Sequence, residues 1–260
     1  MTFDDHLAHL TALDFPLTGN TGKVRTLIEL ARLINAKPGL SILDIGCIGP
    51  NPLDFWRPLF ALYGGQFQLT GIDPDADGIA RTQARLHAIT EHPVNLIAGN
   101  GYDLTRLFPD QQFDVIVFTQ VLEHVFRYRE FLTQVHHTVQ PGGDVLFTLD
   151  SGHYPHQRWQ DSVKGILARL GREHHYEHGW RDDELNPVLN DLDFSVISRE
   201  FYCTTPSKRL HNKYIDAAQK NDVMRLWFAQ EYAYNQHITF DETAKRQFLI
   251  LFYHVQRANH

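Results

Sequence analysis

Apolar and polar positions change period repeatedly along this chain. In NTGKVRTLIELARLI, Val24, Leu27, Ile28, Leu30 and Leu33 recur at helical spacing, and Asn20 or Thr21 stands where such a helix opens. LSILDIG is short, apolar and β-branched, and predicts a buried strand. NPLDFWRPLFALYG predicts a helix with Asn51 as its N-cap and Pro52 at its first position, stopping at Gly64 and Gly65. Pro58 falls inside it and is expected to kink or divide it. The alternation then repeats. FQLTGID and VNLIAG read as strands, with the helix ADGIARTQARLHAI between them and a short helical turn near Tyr102 to Leu107 after them. FDVIVFT is a strand, and QVLEHVFRYREFLTQVHHTV reads as one helix that buries Val121, Leu122, Val125, Leu132 and Val135. The turn Pro141-Gly142-Gly143 announces a fifth strand, GGDVLFTLD. Five β/α units in a row predict a parallel sheet covered by helices on both faces. Ligands of such sheets lie beyond the carboxyl ends of the strands, where the strand order switches.

After Asp150 the rhythm loosens. WQDSVKGILARLG and RDDELNPVLNDL predict helices, FSVISREFY and RQFLILFYHVQR predict strands, and the stretch between these strands is polar and helical. No internal repeat or low-complexity tract interrupts the chain.

Composition narrows the class without naming it. At 260 residues the chain is long enough for one sizeable α/β domain, and 43% hydrophobic with 21% charged residues is ordinary for a globular protein. The formal net charge of −7 leaves no electrostatic footprint for nucleic acid, so none is expected as a partner. No stretch approaches the roughly 18 apolar residues of a membrane span. The amino terminus lacks the basic and apolar regions of a signal peptide, and two cysteines, Cys47 and Cys203, suit a reducing compartment. The expectation is a cytoplasmic protein. Histidine is the outlier, with 16 residues, many in clusters.

The first strand runs into ILDIGCIGPNP, an acidic residue and two glycines at a strand–helix turn. The dinucleotide fingerprint G-x-G-x-x-G is absent, which disfavours a nicotinamide-dependent oxidoreductase. Asp73 closes the second strand 29 residues beyond Asp44, where a carboxylate can accept from ribose hydroxyls. IAGNGYDL closes the third strand, FTQVLEHV the fourth, and QPGGDVLF opens the fifth.

In this order the segments resemble the class I S-adenosylmethionine-dependent methyltransferases, over about residues 22–150. The acid-x-Gly-x-Gly turn matches Asp44, Gly46 and, with Ile48 read as a one-residue insertion, Gly49. The ribose acid falls on Asp73, and the adenine-contacting position falls on Asn100, where Asp is more usual; an amide oxygen still accepts. Glu123 and His124 match the segment after strand four. The resemblance implies a Rossmann-like, mostly parallel seven-stranded α/β sheet. Its last strand is antiparallel and lies between five and six, and helices cover both faces. On this reading residues 1–260 form one methyltransferase domain, with residues 1–36 a helical extension. Residues 205–243 are then a helical insertion between strands six and seven, serving as a substrate cap or a contact in a homo-oligomer.

The cofactor implied is S-adenosyl-L-methionine, held by Asp44, Gly46, Cys47, Gly49, Asp73, Pro74, Asn100, Gly101, Thr119 and Gln120. Thr119 also suits a plain helix cap. The acceptor would be a small molecule. An oxygen acceptor, favoured by the histidines, needs a base, and imidazole is suited to that. The candidates are His124, His153, just past the fifth strand, and His178 in HHYEHGWRDDEL. Each also has a structural reading, as a packed helix residue or part of a polar loop. His174, Glu177 and His178 have the spacing of metal ligands, but nothing completes a site and no metal is expected. The alternative is a non-catalytic protein of this fold that binds the cofactor as a regulator or partner.

Overall fold

The structure, a computed structural model, describes residues 1–48, 52–154, 176–202 and 205–259. Gly49, Asn51, His156, the helix expected over 159–171, His174, His175 and Cys203 lie outside the described residues. Seven strands form one sheet in the order β3-β2-β1-β4-β5-β7-β6. They are β1 Leu40–Ile45, β2 Phe67–Asp73, β3 Val94–Ala98, β4 Phe113–Thr119, β5 Val139–Asp150, β6 Phe194–Tyr202 and β7 Ile250–Arg257. The first five are parallel, and β7 runs antiparallel to both β5 and β6. This is the mostly parallel sheet that the sequence implies.

Local chemistry sets the helix starts. Asn20 caps α2 (Thr21–Ala36) by accepting from the Lys23 amide at 3.2 Å, and Asp75 caps α4 (Ala76–His87) by accepting from Gly78 at 2.9 Å. Pro58 is buried within α3 (Pro52–Tyr63) and does not divide it, against expectation; the helix loses one donor, not its continuity. The Pro141-Gly142-Gly143 turn is a bulge inside β5 rather than its start. Phe113 pairs with Val139 and Val115 with Asp144, so the extra residues loop out, and Gly142 takes φ 72°.

The long helix expected after β4 is broken. A short turn at Leu122–His124 is followed by extended backbone at Val125, and the next helix begins only at Tyr128 and ends at Thr138. The pattern misled because Leu122, Leu132 and Val135 are all buried, at positions compatible with one helical stripe.

Both faces of the sheet are covered. Along β4, Val115 and Val117 face one core with Leu27, Ile28 and Trp56, whereas Ile116 and Phe118 face the other with Phe131 and Phe147. The helices outside the β/α series pack on one another. Phe3 of α1 (Phe3–Thr11) stacks on Tyr232, in the long helix Lys220–His237 between β6 and β7, with ring centroids 3.9 Å apart. Asn221 donates to the carbonyls of Leu13 and Phe15, both at 3.0 Å, and accepts from the Leu17 amide at 2.8 Å. Among the described residues no helix is long and apolar enough to cross a membrane.

One ionic joint fixes α2 to the far edge of the sheet. Arg25 donates through Nε and Nη2 to both carboxylate oxygens of Glu200 in β6, at 2.9 and 3.1 Å, and through Nη1 to Glu29 at 2.7 Å. All three side chains are buried. Removing the cation leaves two buried carboxylates underpaired, so Arg25→Leu should lower the unfolding free energy by about 3–5 kcal/mol. The loss should show as a lower urea midpoint at unchanged slope. Arg25→Leu with Glu200→Leu should recover part of it, and a double variant no better than the single would refute this account.

Candidate active site

The cleft is built where strand order reverses, between β1 and β4. β1 leaves the sheet at Gly46, whose φ is 80° and whose Cβ, if it had one, would lie 2.6 Å from Val121 Cγ2. Only glycine tolerates both the dihedral and the contact. The amides of Gly46 and Cys47 donate to the Ile72 carbonyl, at 2.9 and 3.3 Å, and tie the turn to β2. One turn back, Asp44 is buried at 6% exposure and its Oδ2 accepts from Trp56 Nε1 at 2.6 Å. Burial pushes the Asp44 carboxyl up to about 7, against the opposing pull of the Trp56 donor and the Lys23 charge.

At the end of β2, Asp73 is half-buried and accepts from the Asp75 amide at 3.0 Å. Burial raises its pKa, while the amides of Asp75 and Ile48 hold it down. Asn100, at the end of β3, accepts from the Tyr102 amide at 3.1 Å, and Gly101 lies under Phe131, where a Cβ would come within 2.6 Å of the ring. Ile48 is not an idle insertion. Its Cδ1 would lie 2.3 Å from a Cβ on Gly78, so it is seated over the start of α4 and walls the cleft.

Two cavities adjoin there. The larger, about 670 Å³, is bordered by Ile48, Asp73, Asn100, Tyr102, Val125 and Phe131. The smaller, about 300 Å³, is bordered by Lys23, Asp44, Trp56, Glu123 and Asp150. They share Gly46, Gln120, Val121 and His124. Gln120 holds φ at 57°, a conformation uncommon for a side chain of this kind and typical of residues that function constrains. Its amide donates to the Thr148 carbonyl at 2.7 Å, and its side chain bridges Asn20 and Asp150.

Of the residues singled out in the sequence for the cofactor, Asp44, Gly46, Cys47, Asp73, Pro74, Asn100, Gly101, Thr119 and Gln120 all border these cavities. Gly49 lies outside the described residues. The histidines divide. His124 is exposed and borders both cavities. His153 borders neither. Its side chain is fully buried, with Nε2 2.7 Å from Asp182 and Nδ1 3.2 Å from Glu242, beside Lys245 and Arg199. His153, Asp182 and Asp183 bring ligand-type atoms within 4.8 Å of one another, but Lys245 and Arg199 already neutralise Asp182. His178 packs edge-on against Trp180, 4.7 Å between ring centroids, and reaches Glu184 at 3.8 Å; it too borders neither cavity. Sequence reasoning matched Glu123 to the segment after strand four but gave it no role in the site. It is 1% exposed, its Oε2 has no hydrogen-bond partner among the described residues, and burial beside Asp150 lifts its pKa well above the ordinary range. A carboxylic acid in the first residues after β4 reads from sequence as a helix-dipole partner, so nothing marked it as buried.

The sheet fold is shared with solved methyltransferase structures. Residues 43–145 match the family described as "Methyltransferase domain". The chain is 28% identical over 118 residues to demethylmenaquinone methyltransferase of Bacillus cereus, covering 45% of this chain and 48% of that one. It is 25% identical over 134 residues to phosphoethanolamine N-methyltransferase 3 of Arabidopsis thaliana, covering 50% and 25%. The chain thus spans less than half the length of these curated relatives. A solved phosphoethanolamine N-methyltransferase 2 of Haemonchus contortus, in complex with S-adenosyl-L-methionine, shares the fold, with a TM-score of 0.57 at 16% identity over 90% of this chain and 52% of that one.

The raised pKa of Asp44 makes a prediction about the protein alone. Between about pH 4 and 7 the folded state keeps this proton where the unfolded chain has released it. Stability from Asp44 is therefore full below about pH 4 and declines as pH rises to 7. Urea midpoints should fall across this window, and Asp44→Asn, which still accepts from Trp56, should flatten the fall. Glu123 leaves a residual slope of the same sign. An Asp44→Asn profile parallel to that of the wild type would overturn the assignment.

Proposed function

We propose that this chain is an S-adenosyl-L-methionine-dependent methyltransferase acting on a small-molecule acceptor. The observation that carries the reading is Asp73, a half-buried carboxylate at the end of β2 that faces the larger cavity. A ribose diol presents two donors to such a carboxylate, and charge-assisted hydrogen bonds are the strong ones. The residues fit the rest of an adenosyl group. Gly46 leaves bare backbone on the cleft floor, Ile48, Val125 and Phe131 offer apolar walls to a base, and the cavity volume lies within the range of small-molecule sites. Asn100 would meet the base edge, and Thr119 and Gln120 the methionine end, with Asp44 and Lys23 placed for its ammonium and carboxylate.

When bound, the cofactor supplies a methyl group on positively charged sulfur, open to in-line displacement. The protein's task is then largely alignment. For an oxygen acceptor a proton must also leave, and His124, which borders both cavities, would take it. Its Nδ1 lies 3.4 Å from the Tyr176 carbonyl, an acceptor, and a tautomer with its proton on Nδ1 would leave Nε2 a lone pair. A reducing, cytoplasmic setting suits Cys47, a free and buried thiol. The second reading, a cofactor-binding partner protein without turnover, draws on the irregular first turn. Cofactor binding with no transfer of labelled methyl into any pool of small molecules would favour it.

Asp73→Ala should weaken S-adenosylhomocysteine binding by about 1.5–3 kcal/mol, roughly ten- to 150-fold in Kd. Isothermal titration calorimetry on the folded variant reads this directly. An unchanged Kd would mean the sugar is held elsewhere.

A further inference from the structure

One buried acid in the cleft is left incomplete. The other buried acids have donors: Glu29 and Glu200 share Arg25, Asp44 has Trp56, Asp182 has Lys245, and Glu231 accepts from Thr21. Among the described residues, Glu123 Oε2 is the one carboxylate oxygen that is both fully buried and without a hydrogen-bond partner. Such an oxygen costs the folded chain stability, so keeping it calls for a partner that the chain alone does not supply. The turn that carries it is pinned in place. The Glu123 carbonyl accepts from the His178 amide at 2.8 Å, Trp180 Nε1 donates to the Leu122 carbonyl at 3.4 Å, and the His124 amide donates to the Val121 carbonyl at 2.9 Å.

Glu123 borders the smaller cavity, and its neighbours Val121 and His124 border both. In the proposed function the ribose sits by Asp73 in the larger cavity, and the methionine end by Asp44 and Lys23 in the smaller one. The donor's sulfur joins those two parts covalently, so it lies at the junction, beside this turn. The titratable groups that line the smaller cavity with Glu123 are Lys23 from α2, Asp44 from the end of β1, Asp150 from the end of β5, His124 on the same turn and Glu177 from the segment before Trp180. Asp150 Oδ1 accepts from Gln120 at 3.3 Å. Burial and the Asp150 charge favour the neutral Glu123 carboxyl, while its own amide and Lys23 pull the other way.

We propose that Glu123 senses the charge on the donor's sulfur: its carboxylate is the counter-ion of the sulfonium and separates S-adenosyl-L-methionine from the demethylated product. Donor and product carry the same amino-acid ammonium and carboxylate, and they differ in charge only at sulfur. Asp44 meets the ammonium, which both carry, so its response cancels between them. A positive sulfur beside a buried acid favours the ionised carboxylate, and the donor therefore enters as a proton leaves Glu123 for solvent. Once the methyl group has gone the sulfur is neutral. The carboxylate then loses its counter-ion, takes a proton back and holds the product less tightly. Relative to the product, the donor gains affinity as pH rises, for as long as Glu123 is still protonated in the empty cleft. The inference rests on the methyltransferase reading for the identity of the donor.

Calorimetric titration of S-adenosyl-L-methionine and of S-adenosylhomocysteine into the intact chain, in buffers of different ionisation enthalpy, counts the protons each ligand releases. Between about pH 5 and 8 the donor should release up to about one proton more than the product. Over the same interval the ratio of the two Kd values should move toward the donor by up to roughly tenfold per pH unit. Glu123→Gln, a neutral side chain of the same shape, should abolish both differences. Equal proton counts for the two ligands in the wild type would overturn the inference without recourse to any variant. A difference that survives in Glu123→Gln would overturn it too, because another group such as His124 would then be the sensor. Binding of both ligands with equal counts leaves the methyltransferase reading standing, whereas failure of both to bind sinks that reading and this inference with it.

Discussion

Everything in this molecule is arranged around the pairing of β1 with two parallel neighbours, β2 on one side and β4 on the other. Parallel strands end on the same edge, and the chain leaves β1 and β2 in one direction along the sheet and β4 in the other. The connections diverge at that point and leave a crevice. Asp44 pairs with Gly71 and with Val117, so the last turn of β1 is locked on both sides before the chain escapes at Gly46. The crevice is thus a consequence of strand order. Its lining is what the loops place there.

That lining handles buried acid differently from the rest of the protein. Behind α2, Glu29 and Glu200 are buried but paired with Arg25, and the guanidinium holds Glu29 below the usual carboxylate range. In the cleft, Asp44 and Glu123 are as deeply buried, yet burial wins and both are raised. The difference is one of partners, since desolvation acts on Glu29, Asp44 and Glu123 alike. Neutral acids in a cleft keep proton-release capacity that an arriving positive charge can draw on, whereas ion-paired acids have spent theirs on the fold.

Much of this was legible in the sequence because it is local. The alternation of strand and helix periods, the glycine turn after Asp44 and the acid at the end of the second strand each follow from short-range pattern. What was not legible depends on contacts between distant segments. Leu122 and Leu132 are buried on the two sides of a break, and burial alone cannot tell a broken helix from a continuous one. Gln120 takes a left-handed conformation because Thr148, Asn20 and Asp150 hold it, none of which is near it in sequence. His153 stood just past a strand on the ligand side, but Asp182 and Glu242, 29 and 89 residues away, draw both ring nitrogens into a salt-bridged core. Ile48 looked surplus because Gly78, its seat, lies in the next helix but one.

The same distinction explains how far similarity carries. The matched methyltransferase segment, residues 43–145, contains the turns of β1, β2, β3 and β4, which are the parts a common donor would require. The helices Thr205–Tyr214 and Lys220–His237 lie beyond it, and α1 and α2 lie before it. These outer parts are held to each other by Phe3 on Tyr232, by Asn221 on the backbone of Leu13 and Phe15, and by Gly19 against Asn212. Two segments remote in sequence are thus packed together by aromatic stacking and backbone hydrogen bonds, contacts that no short-range pattern in either segment announces.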